Sequence, residues 1–85
     1  MNGRALLAWN LRRLRGERGV SQETLAHESE IDRAYISELE RELGNATVDM
    51  LDRLADALRA EIGDLFRRPA TDQQPPKTLR PGPRT

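Results

Sequence analysis

Apolar side chains recur along most of this chain at helical spacing, and nowhere do they alternate as a half-buried strand requires. Leu7, Leu11 and Leu14 stand at i, i+4 and i+7 and predict a first helix from about Arg4 to Glu17. Gly19 follows as a left-handed C-cap. Ser21 offers an N-cap oxygen to a short second helix carrying Leu25 and Ala26, and Asp32 caps a third whose apolar positions are Ile36 and Leu39. The chain turns at Gly44-Asn45, and Thr47 then caps a fourth helix with Val48, Leu51, Leu54, Ala55 and Leu58 facing inward. A last turn, Glu61 to Phe66, presents Ile62, Leu65 and Phe66. The expectation is an all-α fold of five helices joined by short loops, with no internal repeat.

The pattern stops at residue 67. All five prolines lie between Pro69 and Pro83, and Leu79 is the one large apolar side chain there. Such a stretch buries too little surface to offset the entropy of ordering it. The expected organisation is therefore one domain over 1–67 and a basic, Pro-rich, disordered tail over 68–85.

Length and composition narrow the function. A chain of 85 residues has one small core and little room for a deep pocket with several convergent catalytic groups. The absence of cysteine excludes disulfides and thiolate metal sites. His27 is the sole histidine, so a histidine metal cage or a general-base dyad lacks a second member, and it is read as an exposed residue of the second helix. No Gly-rich phosphate loop, nucleophile elbow or zinc spacing occurs. Neither an enzyme, a metal nor a cofactor is expected. With no apolar run near the ~18 residues that span a bilayer, and no signal peptide, a soluble cytoplasmic protein is the expectation.

Charge adds a complication. Fourteen basic and fourteen acidic residues cancel, which at first argues against a nucleic-acid partner. By position they do not cancel: residues 1–20 carry five Arg and one acid, 21–43 two Arg and seven acids, 44–66 two Arg and five acids, and 67–85 four Arg, one Lys and one acid. Basic ends flank an acidic middle. Carboxylates with arginines three or four residues away, Asp49/Arg53 and Asp52/Asp56/Arg59, read as solvated helix surface.

Helices two and three, joined by a turn from Glu28 to Ile31, form an αα unit suited either to laying a recognition helix in a major groove or to serving as a plain helical hairpin. Spacing leaves both open, and a resemblance favours the first. Ser21-Gln22-Glu23-Thr24-Leu25-Ala26, then Ile31-Asp32-Arg33-Ala34-Tyr35-Ile36-Ser37-Glu38-Leu39-Glu40-Arg41, then Asn45-Ala46-Thr47-Val48 closely resemble the Cro/cI-type (XRE) helix-turn-helix regulators across residues 4–66. Within that family, Asp32-Arg33-Ala34-Tyr35-Ile36-Ser37 is most similar to the small controller proteins of restriction–modification systems.

The resemblance implies roles. Gln22 falls where the family sets a side-chain amide and a backbone N–H against a DNA phosphate, at a helix N-terminus that favours anions. Arg33, Ala34, Ser37 and Glu38, opposite Ile36 and Leu39, occupy base-reading positions. An arginine there can pair bidentately with guanine, an alanine can touch a thymine methyl, and a carboxylate can accept from cytosine. Tyr35 would reach a phosphate or stack on a sugar edge, and Arg41 and Asn45 would follow a phosphate strand. Arg15 and Glu40 correspond to an ion pair that holds helix three against helix one. Arg12 and Arg13 lie either near phosphate or in solvent. Three positions depart from the family pattern: Glu30 replaces the usual Gly or Asn of the turn, Glu42 the usual Gly, and Gly44 a common basic residue. If Glu30 must take φ > 0, the strain is about 1 kcal/mol.

Family members commonly dimerise through the last helix, so Ile62, Leu65 and Phe66 are expected at a two-fold interface. Trp9, off the leucine stripe, covers the core edge or touches a partner. The function implied is transcriptional regulation by a homodimer on a pseudo-palindromic double-stranded operator, in a restriction–modification setting. An antitoxin role, or a protein-interaction module that never meets DNA, are the rivals. RNA polymerase or a toxin are further candidate partners, and a membrane is not.

Overall fold

The computed structural model describes residues 1–70 and Pro75. Four α-helices, α1 (Gly3–Arg18), α2 (Gln22–Ser29), α3 (Arg33–Glu40) and α4 (Val48–Ala57), precede a 3-10 turn at Ile62–Phe66, and no strand occurs among the described residues. The fifth expected helix is thus a turn. Five residues, Gly63 among them, are too few for i→i+4 bonding to propagate. Arg68 to Ala70 carry no regular structure, and the rest of the expected tail, Pro75 apart, lies outside the described residues.

Local chemistry sets the boundaries. Asn2 Oδ1 accepts from Ala5 N–H at 2.9 Å and starts α1 one residue earlier than its apolar stripe implied. Ser21 Oγ accepts from Thr24 N–H at 3.0 Å and Thr47 Oγ1 from Met50 N–H at 3.1 Å. Asp32 occupies the N-cap of α3 but makes no side-chain cap bond, contrary to expectation. Its ψ of 133° falls short of the 169° and 163° of Ser21 and Thr47, and the shorter swing does not bring the carboxylate over the first-turn amides.

All four helices stop the same way. An N–H reaches back five residues, from Val20 to Arg15 O, Ile31 to Ala26 O, Leu43 to Glu38 O and Ala60 to Ala55 O. The residue just before each of these donors is left-handed: Gly19 at φ 68°, Glu30 at 59°, Glu42 at 66° and Arg59 at 55°. This is the Schellman ending, and one of the four positions has its preferred glycine.

The core joins Leu7, Leu11 and Leu14 of α1 to Leu25, Ile31, Ile36, Leu39, Leu54, Ala55, Leu58 and Leu65. Val48 was expected inside but is 67% exposed. It continues the stripe of Leu51, Ala55 and Leu58, yet stands one turn beyond the elements that cover it. Trp9 is buried, but outside the core cluster named above.

Helix α1 also buries polar residues. Asn10 Nδ2 lies 2.9 Å from Leu6 O, 3.2 Å from Leu65 O and 2.9 Å from Arg67 O, tying the C-terminal turn to α1. Asn10 Oδ1 accepts from Arg13 Nε at 3.0 Å and Nη2 at 2.8 Å. Arg13 is therefore neither near phosphate nor in solvent; it is 8% exposed and also pairs with Glu17. Asp49, Asp52, Arg53, Asp56 and Arg59 are exposed, as the solvated-surface reading expects, and the ion pairs among the described residues are Arg13–Glu17 and Arg15–Glu40. Arg53 donates to Ser29 O at 3.1 Å and Arg18 to Ala57 O at 2.9 Å, fastening α4 to α2 and α1. No helix of the described residues is long and apolar enough to cross a membrane.

Candidate nucleic-acid interface

The turn between α2 and α3 is short because Glu30 accepts a left-handed backbone and sends Ile31, 5% exposed, straight into the core. With Leu25 and Ile36 also fully buried, the two helices share one apolar seam. That seam leaves Arg33 and Ala34 exposed on α3, with Tyr35, Ser37 and Glu38 half-buried beside them. Helices this short, eight residues each, are held by packing and not by their own propensity.

A chain of hydrogen bonds runs from the core to this surface. Arg15 Nε meets Glu40 Oε2 at 2.6 Å and Arg15 Nη2 meets Glu40 Oε1 at 2.8 Å, a bidentate pair with side chains 1% and 4% exposed. Arg15 Nη1 also donates to Val20 O at 3.1 Å. The same Glu40 Oε1 accepts from Gln22 Nε2 at 3.0 Å, and Gln22 Oε1 accepts a longer 3.4 Å bond from Arg33 Nη1. The Gln22 amide therefore has intramolecular partners at both ends, where the resemblance implied a phosphate ligand alone.

After α3 the chain is shaped by Tyr35. Its hydroxyl oxygen accepts from Asn45 N–H at 2.8 Å. Gly44, at φ 77°, lies under the ring, where an added Cβ would stand 3.3 Å from Tyr35 Cε1. Arg4 Nε, from the first turn of α1, donates to Gly44 O at 2.7 Å. Arg41 is exposed and makes one long 3.4 Å bond to Ser37 O. Tyr35 thus serves as a brace for the loop, and the Asn45 amide is already satisfied. A groove of about 320 Å³ opens beside this loop, lined by Leu7, Leu39, Leu43, Leu51 and Phe66 with Arg4 and Asn45 at its polar side.

Of the residues expected at a dimer interface, Ile62 and Phe66 are 38% and 36% exposed, whereas Leu65 is fully buried in the chain's own core. Leu65 has no surface to give a partner. Its position in the 3-10 turn points it at α1 and α4, between Ile62 and Phe66, which point away. His27 is exposed. Among the described residues no group of three or more His, Asp or Glu side chains could hold a metal ion.

The sequence assigned no role to Asn10 or Arg4, and it put Arg13 at a phosphate or in solvent, not in the buried network it joins. Asn10 did leave a signal, an amide within the apolar run Leu6-Leu7-Ala8-Trp9-Asn10-Leu11. Arg4 left none, because its partner lies 40 residues away.

Residues 11–65 match the model of a helix-turn-helix family. A hypothetical transcription factor of Neisseria meningitidis serogroup B is 42% identical over 66 residues, 78% of this chain and 62% of that protein's length. The restriction–modification controller protein C.AhdI from Aeromonas hydrophila superposes with a TM-score of 0.72 at 40% identity, covering 74% of this chain and 96% of that one. The controller protein C.Esp1396I, solved bound to a 19 base pair DNA duplex, superposes with a TM-score of 0.70 at 30% identity over 78% of this chain and 88% of that one.

Proposed function

The chain belongs to the XRE-type helix-turn-helix family, and on that premise we propose that it is a sequence-specific transcriptional regulator binding a pseudo-palindromic operator as a homodimer. The observation that carries this reading is the exposed edge of α3. Arg33 and Ala34 stand clear of the core beside Gln22 at the start of α2, and the buried Arg15–Glu40 pair fixes the angle of that edge.

In this reading α3 enters the major groove. Arg33 reads a guanine, Ala34, Ser37 and Glu38 face neighbouring bases, and Gln22, Tyr35, Arg41 and Asn45 lie along the phosphates. A two-fold partner covers Ile62 and Phe66 and places the second α3 about 34 Å away, one turn of the duplex. Similarity to C.AhdI and C.Esp1396I supports control of a restriction–modification operon as the setting. The protein works in the cytoplasm, with no catalytic role. Residues 1–67 form the binding unit, and the basic 68–85 segment adds sequence-independent attraction to phosphate.

The test is an anisotropy titration against duplex DNA from upstream of the protein's own gene and against a random duplex at moderate salt. Tighter binding to the upstream duplex, with one dimer per site, is expected. Equal affinity for the two would overturn the reading.

A further inference from the structure

We propose that Arg4, in the first turn of α1, is a phosphate-contacting residue of the DNA interface, seated there by the carbonyl of Gly44. The inference rests on the DNA-binding reading above and adds a contact from a helix to which that reading assigns none.

The seat is specific. Arg4 Nε donates to Gly44 O at 2.7 Å across 40 residues of sequence. A guanidinium carries five N–H donors in a fixed plane, so this bond uses one edge and leaves Nη1 and Nη2 free. Arg4 is exposed, and no carboxylate of the described residues pairs with it. Four other arginines are consumed internally: Arg13 and Arg15 by buried partners, Arg18 and Arg53 by helix-end carbonyls. Arg4 retains a charge without a protein partner at the loop that follows α3.

Beyond Arg41, that loop carries no cation of its own from residue 42 to 47. A basic side chain at position 44 is disfavoured, because an L-residue at its φ of 77° is strained and a Cβ would press on the Tyr35 ring at 3.3 Å. The adjacent backbone donor, Asn45 N–H, is taken by the Tyr35 hydroxyl oxygen. Arg4 supplies at Gly44 the positive charge that this position itself lacks. Its bond to Gly44 O also removes part of the freedom that an exposed arginine loses on meeting a phosphate.

The experiment measures binding of the full chain to the upstream duplex and to a random duplex across a salt series, for wild type, Arg4→Ala, Arg4→Gln and Arg4→Lys, each checked for an unchanged thermal transition. Arg4→Gln keeps a donor for Gly44 O and removes the charge. Both Arg4→Ala and Arg4→Gln should weaken the two duplexes by the same factor, about tenfold or less, and flatten the slope of log K against log salt by about 1. Arg4→Lys should restore that slope. A wild-type slope in Arg4→Gln would overturn the proposal, since Arg4 would then only shape the loop. A change in base-pair preference would overturn it too. If wild type bound both duplexes equally, the regulator reading would fail while the salt slopes still decided Arg4.

Discussion

Gln22 Nε2 donates to Glu40 Oε1 at 3.0 Å, so one carboxylate serves both the buried Arg15 and a residue at the edge of the candidate DNA surface. Glu40 is the hinge between stability and recognition. Its position at the end of α3 means that anything loosening the pair also changes how α3 is presented.

Breaking the pair from one side should be costly. Arg15→Ala strands a buried carboxylate and is expected to lower the unfolding free energy by about 3–5 kcal/mol, a large part of what a small domain has. Urea unfolding followed by far-UV circular dichroism measures this. The double change Arg15→Met with Glu40→Leu should recover most of the loss, because no unpaired charge remains. A loss under about 1 kcal/mol for Arg15→Ala would mean that water reaches the site.

Gln22→Ala tests the relay itself. If Gln22 only touched phosphate, all DNA sequences would weaken alike. Because its Oε1 accepts from Arg33, the variant should also lose preference at the base pair that Arg33 meets, by up to about 1–3 kcal/mol. Titrations with single-base-pair operator variants separate the two outcomes.

Leu65 and Phe66 should behave oppositely. Leu65→Glu places a carboxylate in the core and is expected to unfold the chain, so it says nothing about dimerisation. Phe66→Glu alters a residue already 36% exposed and should leave the helical signal intact while shifting sedimentation from dimer to monomer. A persisting Phe66→Glu dimer would place the interface elsewhere.

Asn10→Leu removes the donor shared by Leu65 O and Arg67 O and the acceptor used by Arg13. The expected loss is about 1–3 kcal/mol for the groups left unsatisfied. Hydrogen exchange should quicken first in the 3-10 turn.

Glu30→Gly and Glu42→Gly should stabilise the fold. Both residues hold left-handed backbone at helix ends, φ 59° and 66°, where an L-side chain costs about 1–2 kcal/mol. Glycine's greater unfolded entropy offsets part of that. A net gain of about 0.5–1 kcal/mol would raise the melting temperature by several degrees. A fall would show that these carboxylates do more than fill a turn.

The sequence alone determined the elements. Leucines at helical spacing, with Asn2, Ser21 and Thr47 at starts and Gly19 at a stop, encode helices because capping and periodicity act over a few residues. The order of residues from Ser21 to Arg41 and from Asn45 to Val48 was enough to suggest the family, and that resemblance in turn implied the pairing of Arg15 with Glu40. The tertiary structure decided what each face meets. Periodicity identifies an apolar face but does not say where its cover ends, so Val48 lies outside and Leu65 lies wholly inside. Nor does spacing reveal polar bonds between distant positions, such as Asn10 to Arg67 across 57 residues, Gln22 to Glu40 across 18 or Arg4 to Gly44 across 40. Burial explains the Asn10 bonds, whose amide has little water to turn to, whereas the exposed Arg4 bond follows from the packing that brings the start of α1 beside the loop after α3.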